Sequence, residues 1–271
     1  MQAGKYFPFI FASVLLPALS FADVQCGDTI TTAEIMTEDI LFCTAMPPIT
    51  ISGPSGNLDM NGFTVHCAEL PVLNTGIILS GQGAFLSNGT IENCYTGVSA
   101  EDSGFHGIYN ILVQTNEIGI SLTSNNNFVS SSTISLNTQM GISSDGDFNS
   151  ILSNEIVNNE RDSIVIQGDY ALVSQNTIEP VTGSFVTGEN GIVIGSSSGG
   201  IITQNTVLNI MFSGILMQEF AQTNYLITGN RVDAGGVGVG FDLNDANADA
   251  CTSSNTWISN TFTTANPSCL D

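Results

Sequence analysis

The feature of the sequence that most constrains its fold is an internal repeat of about 22 residues. A small residue followed by Ile or Val recurs at Gly76-Ile77, Gly97-Val98, Gly119-Ile120, Gly141-Ile142, Ser163-Ile164, Gly191-Ile192, Gly214-Ile215 and Gly238-Val239. Successive separations are 21, 22, 22, 22, 28, 23 and 24 residues, and an insertion around Pro180 to Glu189 explains the longest. A regular period of this length is typical of solenoids, in which each repeat packs against its neighbours.

A column of polar residues keeps the same period. Asn88, Asn110, Ser132, Asn154 and Asn176 are each 22 residues apart, and Asn205, Asn230 and Asn260 continue the column with insertions. The segments between them alternate like short strands and show no long helical periodicity. We therefore predict an all-β fold, a right-handed parallel β-helix with about 22 residues per coil. Its Ile and Val residues form an interior column, and its Asn side chains hydrogen-bond inside a bend.

The N-terminus has the pattern of a secretory signal peptide. Lys5 precedes an apolar run from Tyr6 to Leu19, and small residues follow at Ser20 and Ala22. We predict cleavage after residue 22, a mature protein that starts at Asp23, and secretion to the extracellular space or cell wall. After cleavage no membrane span is expected, and residues 23–271 are predicted to form a single β-helix domain.

Six cysteines remain in the predicted mature chain. An even number in an exported protein predicts disulfides, and the absence of a C-x-x-C spacing argues against zinc. Of 15 possible pairings, clustering near the two ends of the chain favours Cys26 with Cys43, Cys67 with Cys94, and Cys251 with Cys269.

The charge balance restricts the partners. The chain has 3 Lys and Arg against 25 Asp and Glu, a formal net charge of −22. Nucleic acid is excluded as a partner because no basic footprint can be assembled. An acidic polysaccharide would be repelled unless a divalent cation such as Ca²⁺ mediates the contact.

The opening coils resemble those of a known group of secreted proteins. Cys26 to Ile30, Ile49 to Ile51 and Leu58 to Val65, with repeats of the type N-x-I-x-x-N…G-I-x-L, are similar to the pectin-lyase-like right-handed β-helix proteins. The resemblance covers about residues 26 to 265. It implies the fold but no single activity, since that group includes lyases, hydrolases, epimerases and proteins with no known chemistry.

The catalytic motifs that the resemblance implies are absent. The chain lacks the Arg-x-Pro-x-x-Arg pattern of pectate lyases, the Asp-Pro-His of mannuronan epimerases, and the Asn-Thr-Asp and Gly-Asp-Asp of polygalacturonases. Arg161 is a candidate base, with a cation on a surface turn as the structural alternative. His106, near Tyr109, is the better candidate of the two histidines, although a lone His at the start of a coil is more often structural.

Acidic and polar columns appear when residues are counted from each glycine anchor. Four positions on lie Glu101, Thr123, Asp145, Gln167, Gln218 and Asp242, and six positions on lie Ser103, Asn125, Asp147 and Asp169. In register, Asp147 and Asp169 would lie about 5 Å apart. They could shape turns, bind Ca²⁺ together with Asp145, or act as a catalytic pair. Ser99, Ser121 and Ser143 would present hydroxyls to a sugar beside Glu101, Thr123, Asp145 and Gln167.

Two classes of function fit these features. The missing catalytic motifs favour a non-catalytic extracellular module that binds or organises cell-wall or matrix polysaccharide. The alternative is an enzyme of this fold that acts on polysaccharide, as a lyase, epimerase or hydrolase. The sequence leaves open whether the chain is an enzyme, and which glycan it recognises.

Overall fold

The computed structural model describes residues 23–43, 49–68, 74–179, 190–219, 223–234, 240–247 and 249–270. The predicted signal peptide, the insertion at Pro180 to Glu189, and Gly238-Val239 lie outside them. Within these ranges, thirty strands form three parallel sheets, and each complete coil contributes one strand to each sheet. This is the predicted right-handed parallel β-helix.

The strands of sheet I are β1 (Asp28–Ile30), β4 (Ile49–Ser52), β7 (Thr75–Ser80), β10 (Thr96–Ala100), β13 (Ile118–Leu122), β16 (Met140–Ser144), β19 (Ile164–Ile166), β22 (Asn190–Ile194), β25 (Ser213–Met217), β28 (Leu243–Asp245) and β30 (Ala265–Asn266). Those of sheet II are β2 (Ala33–Ile35), β5 (Asn57–Asp59), β8 (Phe85–Ser87), β11 (Gly107–Tyr109), β14 (Phe128–Ser130), β17 (Ser150–Leu152), β20 (Leu172–Ser174), β23 (Ile201–Thr203), β26 (Leu226–Thr228) and β29 (Thr256–Ile258). Those of sheet III are β3 (Ile40–Cys43), β6 (Thr64–Cys67), β9 (Thr90–Glu92), β12 (Leu112–Gln114), β15 (Thr133–Ser135), β18 (Glu155–Val157), β21 (Thr177–Glu179), β24 (Thr206–Leu208) and β27 (Arg231–Asp233).

The predicted interior column is present along sheet I. Val98 pairs with Ile120, Ile120 with Ile142, and Ile142 with Ile164, each in the next coil, and all are fully buried. The glycine before Val98, Ile120 and Ile142 has a steric cause. A Cβ on Gly119 would lie 2.5 Å from the carbonyl oxygen of Gly141 in the next coil, closer than real Cβ contacts allow. The repeated Gly-Ile pair therefore marks a position where neighbouring coils approach closely.

The predicted Asn ladder forms over most of its length, at the corner between sheets II and III. The backbone N–H of Asn154 donates to Asn176 Oδ1 (3.0 Å), and the same bond recurs with Asn205, Asn230 and Asn260 in the later coils. These side chains satisfy backbone groups that the sharp bend would otherwise leave buried without partners.

The first two members assigned to that ladder are wrong. Ile111, not Asn110, donates its N–H to Ser132, and Asn88 and Asn110 lie one position earlier, in left-handed conformations with φ of 60° and 52°. The cause is a coil one residue shorter than the period, since Gly107 pairs with Phe128.

The predicted anchor of the last long coil, Gly238-Val239, is also wrong, because Leu243 is the residue that pairs with Ile215. Asp242 therefore precedes its strand and does not belong to the predicted acidic column.

Disulfides join Cys26 to Cys43, Cys67 to Cys94, and Cys251 to Cys269, with Cα–Cα distances of 5.4, 5.1 and 5.8 Å. These are the pairings favoured by the clustering of cysteines at the chain ends. Such bonds are typical of chains that fold in an oxidising compartment. Within the described ranges, the protein has no helix long and apolar enough to cross a membrane.

Candidate binding site at the corner between sheets I and II

The predicted polar residues gather where the chain leaves sheet I and turns into sheet II, a region named here corner I/II. It comprises residues 101–106, 123–127, 145–149 and 167–171 of four successive coils. Ser99, Ser121 and Ser143 are paired neighbours at the second-to-last positions of β10, β13 and β16. The backbone N–H groups of Thr123, Asp145 and Gln167 each bond to the preceding coil, so Glu101, Thr123, Asp145 and Gln167 form one column. The structure thus brings all seven predicted sugar-contacting residues together.

Two serines hydrogen-bond to carboxylates of this corner. Ser99 and Ser143 are buried, and their hydroxyls donate to Glu101 (2.8 Å) and Asp145 (3.3 Å). Thr123, Asp145 and Gln167 are exposed and Glu101 is half-buried. The two serines therefore orient carboxylates and do not themselves face solvent.

Asp147 and Asp169 occupy neighbouring coils, as predicted, and the structure shows what holds them. Asp147 Oδ1 accepts the backbone N–H of Asp169 (2.9 Å), and Asp169 Oδ1 accepts that of Ser198 (2.8 Å). Asn125 Oδ1 makes the equivalent bond to the N–H of Asp147 (2.8 Å). One oxygen of each carboxylate therefore closes a turn, as the turn-shaping interpretation requires.

The predicted three-carboxylate metal site does not assemble. No group of three or more His, Cys, Asp or Glu side chains that could hold a metal ion occurs within the part of the chain that the structure describes. The physical reason is that Asp147 and Asp169 direct an oxygen at backbone N–H groups, while Asp145 faces Ser143 in another column. Among the described residues, no hydrogen bond occupies the second oxygen of Asp147 or of Asp169.

Sequence reasoning missed the aromatic side chains of corner I/II. Phe105, Phe148 and Tyr170 follow the turn residues directly, at φ of 60°, 58° and 57°. Phe148 and Tyr170 are 51% and 54% exposed, and their rings stack with centroids 4.8 Å apart and planes 12° apart. The Tyr170 ring lies over Gly199 of the next coil, where a Cβ would be 2.6 Å from it. These residues form a continuous apolar surface, named here the aromatic strip (Phe148, Tyr170 and Gly199).

The backbone of the aromatic strip is unusual for its residue types. Left-handed φ values favour Gly, Asn and Asp, and they cost a larger residue about 1–2 kcal/mol. Equivalent positions in other coils hold Gly83, Asn126 and Asn224, which suit that conformation. Large exposed aromatics in strained turns are more typical of functional surfaces than of structural ones. The recurrence of an Asp-aromatic pair one coil later, Asp147-Phe148 and then Asp169-Tyr170, was the available sequence signal.

His106 has the geometry of a ladder residue and not of an accessible acid or base. It is fully buried; its Nδ1 accepts the N–H of Ala84 (3.1 Å), and its Nε2 donates to the carbonyl of Glu101 (2.8 Å). Asn127 and Asn149 take the equivalent place in the next coils. Burial lowers the pKa of His106, so the ring is neutral with its proton on Nε2.

Arg161 is exposed at the opposite end of β19 from Asp169, on the corner between sheets III and I. Its backbone N–H bonds to Gln139 of the preceding coil. The strand separates the Arg161 turn from corner I/II. The structure therefore does not bring Arg161 together with Asp147 and Asp169.

Residues 50–185 match the family model described as "Periplasmic copper-binding protein (NosD)". The chain belongs to the NosD family. No curated protein matches the chain at a significant level. The NosD match covers the central coils that contain corner I/II.

Solved structures share the fold of this NosD-family chain. The periplasmic alginate epimerase AlgG matches with a TM-score of 0.60 and 12% identity over 88% of this chain and 61% of that one. Endopolygalacturonase I from Stereum purpureum, complexed with two galacturonate, matches with 0.57 and 15% over 88% and 80%. The Dettilon tailspike protein (gp208) matches with 0.58 and 14% over 86% and 55%. The chain therefore spans little more than half of the tailspike and epimerase structures, and these likenesses establish the pectin-lyase-like fold.

The donor set of the described residues does not fit a copper centre. Copper sites in proteins use imidazole, thiolate and thioether ligands. All six cysteines are in disulfides, and both ring nitrogens of His106 are engaged. Nδ1 of His66 lies 3.0 Å from Glu92 Oε1 and 3.2 Å from Asn93 Nδ2. One partly exposed imidazole beside one carboxylate is too few ligands for the metal in the family's name.

Proposed function

We propose that this chain is a secreted, non-catalytic module that binds cell-wall or matrix polysaccharide at corner I/II. The observation that carries the proposal is the exposed, stacked pair of Phe148 and Tyr170 beside a column of polar side chains. The faces of sugar rings present C–H groups that pack against aromatic rings, while their hydroxyls need hydrogen-bond partners at the edge. The aromatic strip supplies the surface against which the C–H groups pack. The neighbouring polar column supplies the hydrogen-bond partners for the hydroxyls.

The polar column is placed to serve a chain of sugars. Thr123, Asp145 and Gln167 occupy successive coils, about 4.8 Å apart along the helix axis. That spacing is close to the length of one hexose in an extended 1,4-linked polymer, so a glycan lying along the axis would meet an equivalent position at each sugar. The outer oxygens of Asp147 and Asp169 add acceptors for hydroxyl protons.

The absence of the known catalytic motifs, the engaged ring of His106 and the remote position of Arg161 favour binding without chemistry. The structural neighbours support a saccharide partner, since one is an alginate epimerase and another is a polygalacturonase complexed with galacturonate. The export signal predicted for residues 1–22 and the three disulfides support a location outside the cytoplasm.

The test is a binding screen of the purified mature chain against neutral and uronate polysaccharides. The double variant Phe148→Ala with Tyr170→Ala should weaken binding about tenfold or more, from ~0.5–1.5 kcal/mol per aromatic contact. The control is Leu136→Ala, an exposed apolar residue that shares the left-handed conformation (φ 56°) on a different corner.

Two results would count against the proposal. Binding that survives the double variant but is lost in the control would move the site away from corner I/II. Unsaturated or newly reducing sugar products in the same mixtures would establish the enzyme alternative, and Asp147→Asn and Asp169→Asn would then identify whether the paired acids perform it.

A further inference from the structure

A second concave surface lies on the outward side of sheet III, in the first coils of the solenoid. A cavity of about 450 Å³ follows the corner between sheets II and III, across the coils that contain β9, β12 and β15. It is named here the amide groove, and its volume is in the range of pockets that bind small ligands. One wall consists of Asn88, Asn110 and Ser131, and the other consists of the first residues of the three strands, Thr90, Leu112 and Thr133.

The polar groups of the amide groove are held in place but not used up. Asn110 Nδ2 donates to Asn88 Oδ1 (2.8 Å), and Asn88 Nδ2 donates to Asp59 Oδ1 (3.0 Å), which fixes the orientation of both amides. Within the described ranges, no hydrogen bond reaches the side-chain oxygen of Asn110 or the hydroxyls of Thr90 and Thr133. The groove therefore offers oriented donors and acceptors to a ligand.

An oriented imidazole lies beside the groove on the same face of sheet III. His66 pairs with Glu92 in the next coil, and its Nδ1 lies 3.0 Å from Glu92 Oε1 and 3.2 Å from Asn93 Nδ2. Gln114 donates to Glu92 Oε2 (2.8 Å). The hydrogen bonds from Gln114 and His66 lower the pKa of Glu92, and an ionised carboxylate only accepts, so Nδ1 carries the proton of the neutral ring. No group of the described chain bonds to Nε2, which keeps its lone pair for a ligand.

A β-bulge brings an exposed aromatic ring against this imidazole. The register of β3 against β6 shifts between Ile40 and Cys43, so that Leu41 and Phe42 together oppose His66. Phe42 has φ of 58° and is 67% exposed, and its ring meets His66 in a T-shaped arrangement with centroids 5.3 Å apart. Bulges and large residues in left-handed conformations are concentrated at functional sites, where they aim a side chain.

The chemistry of these groups indicates an uncharged saccharide. Sugar hydroxyls both donate and accept, which matches a lining of hydroxyls, an amide and an imidazole lone pair. An anion would meet Asp59 and Glu92, while Arg161 and Arg231, the arginines of the described chain, lie in later coils. A metal ion would find both oxygens of Glu92 and Oδ1 of Asp59 already accepting hydrogen bonds. An apolar ligand would leave the hydroxyls of the groove without partners, which is costly.

We propose that the amide groove, together with His66 and Phe42, binds a neutral oligosaccharide that lies along the solenoid axis. Its hydroxyls bond to Asn110, Thr90 and Thr133, one hydroxyl donates to Nε2 of His66, and a terminal ring packs against Phe42. From β3, which carries Phe42, to β15 there are four coil steps, which at ~4.8 Å each span about four units of an extended 1,4-linked chain. Sheet II separates this site from corner I/II, so the proposal does not rest on glycan binding at that corner.

The test is calorimetric titration of the mature chain with 1,4-linked oligosaccharides of glucose, mannose and xylose, from disaccharide to hexasaccharide. At least one series should bind, with an affinity that rises up to about four units and is constant beyond them. The double variant Thr90→Val with Thr133→Val should weaken binding about tenfold, because it removes two hydrogen-bonding hydroxyls. The control Thr206→Val, in the same column three coil steps beyond Thr133, should leave binding unchanged. Thermal melts of these variants control for folding.

The outcomes separate this site from corner I/II. Absence of binding by all three series would overturn the proposal, and so would a loss as large in Thr206→Val as in the double variant. Binding that only Phe148→Ala with Tyr170→Ala weakens would also overturn it, while leaving the proposed function intact. Binding that only the threonine variants weaken would support the groove, whatever polysaccharide corner I/II binds.

The two histidines test the role of His66 within one folded protein. Nitrogen-15 NMR in mildly alkaline solution should show the proton on Nδ1 of His66 and on Nε2 of His106, since the two rings are held by opposite nitrogens. A saturating oligosaccharide should shift the Nε2 resonance of His66 and leave that of the buried His106 unchanged. No shift at His66, or equal shifts in both rings, would exclude His66 from the site.

Discussion

Replacing Asn154 by Leu tests whether side-chain hydrogen bonds hold the coils in register. The Asn154 side chain accepts the N–H of Ser132 (3.0 Å) and donates both to the carbonyl of Val129 (3.0 Å) and to Asn176 Oδ1 (3.0 Å). Leu has a similar volume, so the change removes hydrogen bonds without creating a large cavity.

The expected loss of stability follows from the groups that lose their hydrogen-bond partners. The N–H of Ser132 remains buried without its acceptor, which costs about 1–3 kcal/mol, and the lost donors add about 1 kcal/mol. We therefore expect Asn154→Leu to lower the free energy of unfolding by about 2–4 kcal/mol. The matched control is Gln175→Leu, the same kind of change at an exposed position next to the ladder residue Asn176, and its effect should stay within about 0.5 kcal/mol.

The assay is equilibrium denaturation in urea, monitored by circular dichroism with the disulfides intact. The free energies of unfolding of the two variants are compared on condition that both unfold with the same dependence on urea concentration (the m-value). This condition is needed because a repeat protein can lose cooperativity when one coil is weakened. Equal stabilities for Asn154→Leu and Gln175→Leu would refute the reasoning, since they would mean that the ladder bonds contribute nothing beyond a surface amide.

Three further predictions follow from other features. Because burial lowers the pKa of His106 in the folded chain, stability should fall as pH drops below the unfolded value of about 6.5; His106→Asn should retain the acceptor for Ala84 and flatten that part of the stability profile. Intact mass of the exported chain should show Asp23 at the N-terminus and six hydrogens fewer than the reduced form; free thiols would contradict this. Co-sedimentation with pectate or alginate should require Ca²⁺ and be abolished by a chelator, because the carboxylates of corner I/II repel uronates; binding that resists the chelator would exclude a bridging cation.

The sequence predicted the register wherever the coils have a constant length. From Val98 to Ile164 the anchor pair recurs at a constant spacing, because close approach of the coils demands a small residue and burial demands a β-branched one. Asn110 was assigned to the ladder position that Ile111 occupies, because this coil is one residue shorter than the period. Asn suits both the ladder position and the left-handed position before it, so the residue type did not reveal the shift. Leu243 was missed because the preceding coil carries an insertion.

The content of the candidate site was harder to foresee. The column of Asp145 and Gln167 follows from period alone, but whether the oxygens of Asp147 and Asp169 face solvent or backbone depends on turn geometry. Nothing local in the sequence assigns a left-handed conformation to Phe148 or Tyr170, since left-handed φ values are favoured by Gly and Asn. The structural role of His106 was equally hidden, because an imidazole in the place of an Asn amide is recognisable only once both neighbouring coils are in position.

The corner positions in left-handed conformation have a consequence for how such a chain can diversify. Gly83, Phe105, Asn126, Phe148, Tyr170, Gly199 and Asn224 occupy one line on the surface, although the coils that separate successive members differ in length. Their neighbours Ala84, His106 and Asn127 point inward and hold the bend, so the outer residue can change while the scaffold stays the same. The outer residue of each coil on this line can therefore be substituted independently of the others. Single substitutions, one per coil, can turn an amide surface into an aromatic one, and insertions elsewhere in a coil lengthen the gene without shifting the row.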